Sequence, residues 1–436
     1  MEANQQNKTT AVKGTDTARL VRAMVKNIYA SAHEAKAKGQ KVAYMMVASQ
    51  YDEILRAMDI VPLPTENYAG LCAAKRDMDR FLLKAEADGY SQVLCSYARI
   101  GLGFDSLRKE LGHIPDNSPD GGMPLPDMML GSSAVCDPRF KWFQATSRYL
   151  EAPTFGMDVV APPPYADLNE VRDHYIKYQR EQLQGLVEFL EKQTGKKLDK
   201  ERLWEAIRLG DKAWQLWYDI DRLRVAVPCP MPSQDHFSIM VAGHYYTGTQ
   251  VAVDFYQKLY DEVKHKVDNK IGVIADEKYR ILYGGGLPPW HTLWIFNYFE
   301  SFGAVFVIEN VYRGFDPVEV PSHVKDPVDY LAWRAFLRFT RYHEKARAHS
   351  GNPTVEKLLD LITDYKIDGV VFHACRSCRA TTIGQTHTKS ELGKYSTIPM
   401  MQLVSDMVDL RDYSEAQWKA QISAFLEALA GRNVRS

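Results

Sequence analysis

The sequence predicts an α/β protein in which two lobes of alternating strands and helices flank a largely helical middle segment. Residues 41–48 and 368–373 are short, continuous apolar runs, which are typical of parallel strands buried on both faces. Residues 166–224 are rich in Leu, Glu, Lys, Gln and Arg at helical spacing. We therefore predict an N-terminal α/β lobe over 1–160, a mainly helical segment over 161–270 and a C-terminal α/β lobe over 271–436.

The elements of the N-terminal lobe follow from apolar spacing and from stop signals. Residues 17–38 are predicted to form a helix that ends before Gly39, and the strand over 41–48 follows it. A helix over 51–58 leads to a second strand over 60–64, which prolines terminate. A helix over 76–89 then precedes a predicted strand over 91–95 that ends at Cys95.

The later elements follow in the same way. The region 166–224 is predicted to hold two or three long helices, with a break near Gly195 and Asp199 as the N-cap of the next helix. Helix resumes over 250–266. Strands are predicted over 280–283, 304–309 and 368–373, and an amphipathic helix over 355–365. The last strand runs into Cys375 and Cys378.

Charge and composition exclude several classes of function. The chain has 54 basic and 55 acidic residues, so it lacks the basic surface of a nucleic-acid binder. The apolar stretch 287–309 is interrupted by His291, Asn297 and Glu300, which argues against a membrane span. The polar N-terminus lacks the apolar core of a signal peptide, so we expect a cytoplasmic protein. Its six cysteines are then expected to be reduced thiols.

Cys95 and Cys136 occupy similar places. Cys95 follows a predicted strand, and Cys136 precedes the turn or helix start at Asp137 and Pro138. Ligands gather beyond the carboxyl ends of parallel strands, and the N–H groups of a helix start favour anions such as thiolates. A buried and inert thiol is the alternative at each position.

Cys375 and Cys378 form a Cys-x-x-Cys pair after a predicted strand. Such a pair serves as a redox dithiol, as half of a zinc site, or as part of an iron–sulfur site with distant cysteines. A zinc site would need a second Cys pair or a His pair at short spacing, and the sequence has neither. Arg376 and Arg379 would offset the charge of a thiolate-bound cluster.

Ser49 follows the first predicted strand, and Glu66 follows the second. A carboxylate that faces an apolar sheet end has a raised pKa and can act as an acid or base, whereas a solvated loop carboxylate is the alternative. The glycines 284–286 fit neither a dinucleotide-binding fingerprint nor a P-loop. No nucleotide-hydrolysing site is therefore predicted in this chain.

Together, these pieces resemble one family, the 2-hydroxyacyl-CoA dehydratase and ATP-dependent benzoyl-CoA reductase subunits. The resemblance lies in 49–68, 94–99, 135–138 and 373–384, which span most of the chain in order. The stretch 372–384 is most similar to the larger catalytic subunit of benzoyl-CoA reductase.

The resemblance implies two flavodoxin-like lobes and one [4Fe–4S] cluster held by Cys95, Cys136 and Cys378. Cys375 falls at a variable position of the family pattern and is the alternative ligand. The resemblance also places Ser49 and Glu66 near the substrate, with Gln50 as a further candidate there.

The implied reaction is the reduction of benzoyl-CoA to a cyclohexadienoyl-CoA. The implied partners are a homologous second catalytic subunit, ATP-hydrolysing iron–sulfur activator subunits that use the ATP, and ferredoxin as the upstream donor. Dehydration of a 2-hydroxyacyl-CoA is the alternative reaction. A non-catalytic electron-transfer subunit and a thioredoxin-like dithiol protein are alternatives of other classes.

Overall fold

Two parallel β-sheets organise the protein. The computed structural model describes residues 11–49 and 51–433. The first sheet has the order β2-β1-β3-β4, with β1 at Val42–Met45, β2 at Val61–Pro64, β3 at Met128–Ser132 and β4 at Thr154–Met157. The second has the order β6-β5-β7-β8, with β5 at Tyr279–Gly285, β6 at Ala304–Glu309, β7 at Gly369–Cys375 and β8 at Met400–Ser405. The shared doubly wound order confirms the prediction of two flavodoxin-like lobes.

Helices cover both faces of the first sheet, so that β1 is buried along its whole length. They are α1 Asp16–Arg19, α2 Val21–Ala37, α3 Asp52–Ala57, α4 Thr65–Ala74, α5 Asp79–Ala87, α6 Ser96–Leu111 and α7 Pro138–Thr146. The helix predicted over 17–38 is thus divided at Leu20.

Long helices form the middle of the chain, as predicted. They are α8 Leu168–Thr194, α9 Lys200–Leu223, α10 Ser233–Tyr245 and α11 Gln250–Asp268. Asp199 caps α9 by accepting hydrogen bonds from the N–H groups of Glu201 and Arg202. Residues of α9, α10 and α11 share one apolar core with the first lobe and with Cys375 and Cys378. The division into three domains therefore stays a prediction.

The remaining helices follow along the chain. They are α12 Ile295–Glu300, α13 Pro327–Thr340, α14 His343–Ala348, α15 Pro353–Asp364, α16 Arg379–Thr382, α17 Gln385–Tyr395 and α18 Glu415–Asn433. The first long one among them, α13, packs on α8 and on the core of the first lobe rather than on the second. In the part of the chain that the structure describes, none of the helices combines the length and apolar composition needed to cross a bilayer.

One predicted strand is wrong. Residues 91–94 form turns rather than a strand, and Cys95 is the N-cap of α6. Val93 is 72% exposed, so its apolar side chain finds no sheet to pack on. The strand that leads to Cys136 is β3, which was not predicted.

Candidate metal centre

Cys95, Cys136 and Cys378 each stand at the beginning of a helix. Cys95 and Cys378 are the N-cap residues of α6 and α16, and Cys136 lies two residues before α7. In each case the backbone N–H three residues further along, that of Ala98, Arg139 or Thr381, lowers the pKa of the thiol. Because these N–H groups favour negative charge, one local geometry stabilises a thiolate at all three positions.

The three thiols lie close enough to influence one another. Burial raises the pKa of Cys95 well above its ordinary value, and the charges of Cys378 and Cys136 raise it further. Burial also raises the pKa of Cys136 to about 12 and raises that of Cys378. Thiolates crowded together in a buried site repel one another, and a bound cationic metal centre would remove this penalty.

Cys375 differs from these three residues. It is the last residue of β7, is fully buried, and its S–H points to Asp406 Oδ2 at 3.8 Å. It does not cap a helix. The geometry therefore groups Cys378, rather than Cys375, with Cys95 and Cys136, and the choice of ligand stays a prediction.

A serine pair joins the two lobes beside the cysteines. The backbone N–H of Ser96, next to Cys95, donates to Ser377 Oγ at 3.1 Å. Ser377, next to Cys378, donates through its hydroxyl and its backbone N–H to Asp406, the latter at 3.3 Å. These bonds fix the position of Cys95 relative to Cys378 across the lobe boundary.

Glu66 faces the same site from the first turn of α4. Arg139 binds it in a bidentate manner, Nε to Oε1 at 3.2 Å and Nη2 to Oε2 at 2.7 Å, and the N–H of Val47 donates to Oε2 at 2.7 Å. Glu66 adds to the raised pKa of both Cys136 and Cys378, so its charge reaches both thiols. Its role in proton handling stays a prediction.

Ser49 lies in the loop after β1, where Ala48 adopts a left-handed backbone with φ of 54°. Its side chain is fully buried, and Oγ donates to the carbonyl of Met46 at 2.6 Å. A substrate-binding role for Ser49 stays a prediction. Gln50 lies outside the described residues.

Sequence reasoning missed an aromatic wall, which consists of Tyr97, Trp290 and Tyr312. Tyr97 OH accepts a hydrogen bond from Trp290 Nε1, and the ring of Trp290 lies 6.0 Å from that of Tyr312. Burial raises the pKa of the Tyr312 hydroxyl, and the nearby negative charges of Glu66 and Cys378 raise it further. The sequence offered one signal, since Tyr97 lies in the stretch that carries Cys95.

Apolar side chains flank the cysteines on the surface and form what we call the rim. Val93, Val135 and Ile383 are 72%, 53% and 83% exposed. Each lies within five residues of one of the three cysteines. Exposed apolar residues grouped around a site are typical of a surface that another protein covers.

A second group of ligand-type side chains lies where the middle helices α9 and α10 meet the second lobe. The ligand atoms of Asp221, His236 and Glu309 all lie within 4.8 Å of one another. Arg224 already binds Glu309 through two bonds of 2.9 Å and Asp221 at 3.1 Å. Arg313 binds the other oxygen of Asp221 at 3.3 Å. The group is therefore a charge-balanced ion-pair network, and arginines occupy the place of a cation.

The fold and the site define a class of α/β protein in which two doubly wound lobes bring three cysteines, each at the start of a helix, together at their junction. Residues 50–429 match the family model described as 2-hydroxyglutaryl-CoA dehydratase, D-component, and the chain belongs to this family. The family predicted from the sequence is thereby confirmed.

Characterised relatives match nearly the whole chain. The (R)-phenyllactyl-CoA dehydratase alpha subunit of Clostridium sporogenes is 27% identical over 92% of both chains. The (R)-2-hydroxyisocaproyl-CoA dehydratase alpha subunit of Clostridioides difficile is 25% identical, over 93% of this chain and 94% of the relative. One benzoyl-CoA reductase subunit, from Thauera aromatica, is also 25% identical, over 90% of this chain and 89% of the relative. The chain is thus similar to subunits of both acyl-CoA dehydratases and a reductase.

Proposed function

We propose that this chain is the cluster-holding subunit of an enzyme complex that reduces an aromatic acyl-CoA, converting benzoyl-CoA to a cyclohexadienoyl-CoA. The observation that carries the proposal is the gathering of Cys95, Cys136 and Cys378, each at a helix start, where the two lobes meet. Cys375 is the alternative ligand, and its place inside β7 makes it the weaker candidate.

The donor set fits a [4Fe–4S] cluster. A single metal ion needs ligand atoms that converge on one point, and within the described residues the group that does so is Asp221, His236 and Glu309, not the cysteines. In a cubane cluster each thiolate binds a different iron, so the ligands are spaced more widely. Such a cluster, when bound, supplies single electrons at low potential.

The surrounding residues would prepare the site for this chemistry. We expect the aromatic wall to help exclude water, which would limit the loss of reactive electrons to solvent. The Ser96–Ser377 bond holds two of the ligands at a fixed separation. Reduction of the ring consumes two electrons and two protons, and Glu66, with Arg139 fixing its orientation, is the proposed proton-handling group. Ser49 and Gln50 are the proposed substrate-binding residues.

The names of two relatives favour an aromatic acyl group, since benzoyl and phenyllactyl groups both contain a phenyl ring. One of these relatives is a reductase and the other a dehydratase. Dehydration of an aromatic 2-hydroxyacyl-CoA is therefore the second candidate reaction, supported by the dehydratase named in the matching family model.

The proposed partners follow from the relatives' names as subunits and from the rim. A homologous catalytic subunit would cover Val93, Val135 and Ile383 and close the site to water. The sequence lacks a P-loop, so the complex would take its ATP-driven electrons from separate iron–sulfur activator subunits. Ferredoxin is the proposed upstream donor.

Product analysis tests the reaction. The complex, purified without oxygen, is given ATP, a low-potential reductant and either benzoyl-CoA or phenyllactyl-CoA. Formation of a cyclohexadienoyl-CoA in proportion to ATP hydrolysis supports the proposal. If the complex instead converts phenyllactyl-CoA to an unsaturated acyl-CoA and leaves benzoyl-CoA unchanged, the reaction is dehydration and the proposed reduction is wrong.

Iron analysis tests the ligands. Wild type is expected to hold about four iron atoms in this chain. Cys378→Ser is expected to lose them, whereas Cys375→Ser, the matched control three residues away, is expected to keep them. The absence of iron from reconstituted wild type would refute the cluster.

A further inference from the structure

A buried carboxylate, Asp406, lies between the two lobes beside the cysteines. It follows β8 directly and is 1% exposed. Its Oδ1 accepts hydrogen bonds at 2.9 Å from the backbone N–H groups of both Val408 and Asp409. Its Oδ2 accepts from the hydroxyl and N–H of Ser377 and from the S–H of Cys375. Both oxygens are thus engaged, so Asp406 is a poor candidate for a ligand of the fourth iron.

The groups that face Asp406 are neutral hydrogen-bond donors. Burial alone would raise the pKa of Asp406, but the donors at Asp409, Ser377, Ser96 and Val408 hold it below its ordinary value. A carboxylate that receives this many hydrogen bonds is held in its charged form. Among the described residues, no Lys or Arg forms an ion pair with it, in contrast to Glu66 and Glu309. Asp406 is therefore a buried negative charge without a paired cation.

The charge of Asp406 reaches the candidate ligands. Its Oδ2 lies 3.8 Å from the sulfur of Cys375 and 3.3 Å from the backbone nitrogen of Ser377, the residue before Cys378. The hydroxyl of Ser377 also lies 3.2 Å from that of Ser96, the residue after Cys95. Buried charges interact strongly because little water lies between them. An iron–sulfur cluster becomes more negative when it is reduced, so a fixed anion nearby makes its reduction less favourable.

We propose that Asp406 is a positioning residue whose fixed charge keeps the reduction potential of the bound cluster low. The inference rests on the proposed function, because it needs a cluster at Cys95, Cys136 and Cys378. Reduction of an aromatic ring requires a low potential, because the cluster must have a reduction potential at least as low as that of the ring to which it gives its electrons. The dearomatising chemistry would thus depend in part on a carboxylate that contacts neither substrate nor iron.

The test is a redox titration of the purified complex, followed by the electron paramagnetic resonance of the reduced cluster. Asp406→Asn removes the charge and keeps the size of the side chain. It is expected to retain the iron and to favour the reduced state at least tenfold, which is a rise of 59 mV in midpoint potential for one electron. Full iron with an unchanged potential would overturn the proposal.

A second neutral variant, Asp406→Ser, guards against misfolding of the first and is expected to move the potential in the same direction. Loss of iron from both neutral variants would make Asp406 a structural support and would also overturn the proposal. Absence of iron from wild type would instead refute the proposed function, and iron analysis of wild type therefore distinguishes that failure from a failure of the proposal for Asp406.

Two controls separate charge from hydrogen bonding. Ser377→Ala removes the hydroxyl donor to Asp406, while the backbone N–H groups of Val408, Asp409 and residue 377 still hold its charge, so the potential is expected to stay low. A rise equal to that of Asp406→Asn would assign the effect to the hydrogen bond and overturn the proposal. Asp409→Asn makes the same change three residues away, where Arg99 and Arg411 bind the carboxylate at 3.1 Å and 2.6 Å, and a smaller shift is expected.

Discussion

The two lobes share a strand order, and each places a glutamate at the end of its second strand. Glu66 follows β2, and Glu309 is the last residue of β6. One buried arginine binds each glutamate through two bonds. Arg139 of the first lobe binds Glu66, and Arg224, at the end of the middle helix α9, binds Glu309. Cys136 and Cys378 likewise follow the corresponding strands β3 and β7.

The surroundings of the two glutamates differ. Glu66 is 11% exposed and its charge reaches two cysteines, whereas Glu309 is completely buried beside Asp221 and His236. The second lobe faces the cysteines with Asp406 instead. One scaffold therefore carries the same kind of ion pair once beside the cysteines and once in the core.

Breaking the core pair should have the larger effect. Arg224→Met leaves Glu309 and Asp221 buried with less compensation, and we expect a destabilisation of about 5 kcal/mol. Thermal unfolding followed by circular dichroism measures it. If Arg224→Met lowers the unfolding free energy by less than Arg139→Met does in the first lobe, the comparison is contradicted.

Breaking the site pair should cost less stability. Arg139→Met leaves Glu66 with partial access to water, so we expect a destabilisation of about 3 kcal/mol, measured in the same way. The double variant Arg139→Met with Glu66→Gln removes the unpaired charge and should recover part of the loss. Without such recovery, the ion pair would not be the cause.

The first lobe also holds Asp52, whose stability effect depends on pH. Burial raises the pKa of Asp52 to about 7, Glu53 adds to this, and Arg56 and Arg334 offset it only in part. Between about pH 4 and 7 the folded chain therefore binds a proton that the unfolded chain has released, and stability falls as pH rises.

Asp52→Asn lacks this proton. Wild type should lose about 2 kcal/mol of unfolding free energy between pH 5 and pH 8 that the Asn variant does not lose. Urea unfolding of both proteins at both pH values measures this difference. An unchanged difference between the two proteins would mean that Asp52 does not titrate in this range.

The smallest effect is expected at the surface of the second lobe. Arg376, predicted to offset the cluster charge, has a 62% exposed side chain and pairs with Asp412 at 2.8 Å. Arg376→Ala should change the unfolding free energy by less than about 1 kcal/mol, because water screens such pairs. A large loss of stability or iron would show that this arginine does more than its exposure suggests.

Much of the fold could be predicted because its strands are local, fully buried apolar runs. Residues around β1 and β7 carry this pattern, and Asp199 carries a clear capping signal. The strand β3 has a weaker pattern, with Gly131 inside it, and forms because β1 and β4 pair with it on either side. The apolar residues near Val93 lack such neighbours and form turns instead.

The site could be predicted only in part. The cysteines stand at helix starts that local sequence suggests. Asp406 and the aromatic wall reach them through contacts between distant segments, such as the Ser96–Ser377 bond across 281 positions. Contacts of this kind depend on how the lobes dock, which no local pattern encodes.

The Ser96–Ser377 bond also has a consequence for how the protein matures. With the proposed ligand set, Cys95 and Cys378 would meet only after the second lobe has docked on the first, so a nascent N-terminal lobe would present an incomplete set of thiols to any machinery that delivers iron and sulfide. Loading of the cluster would thus report that synthesis and docking are finished. The iron-loaded fraction of a preparation would then serve as a count of correctly assembled molecules.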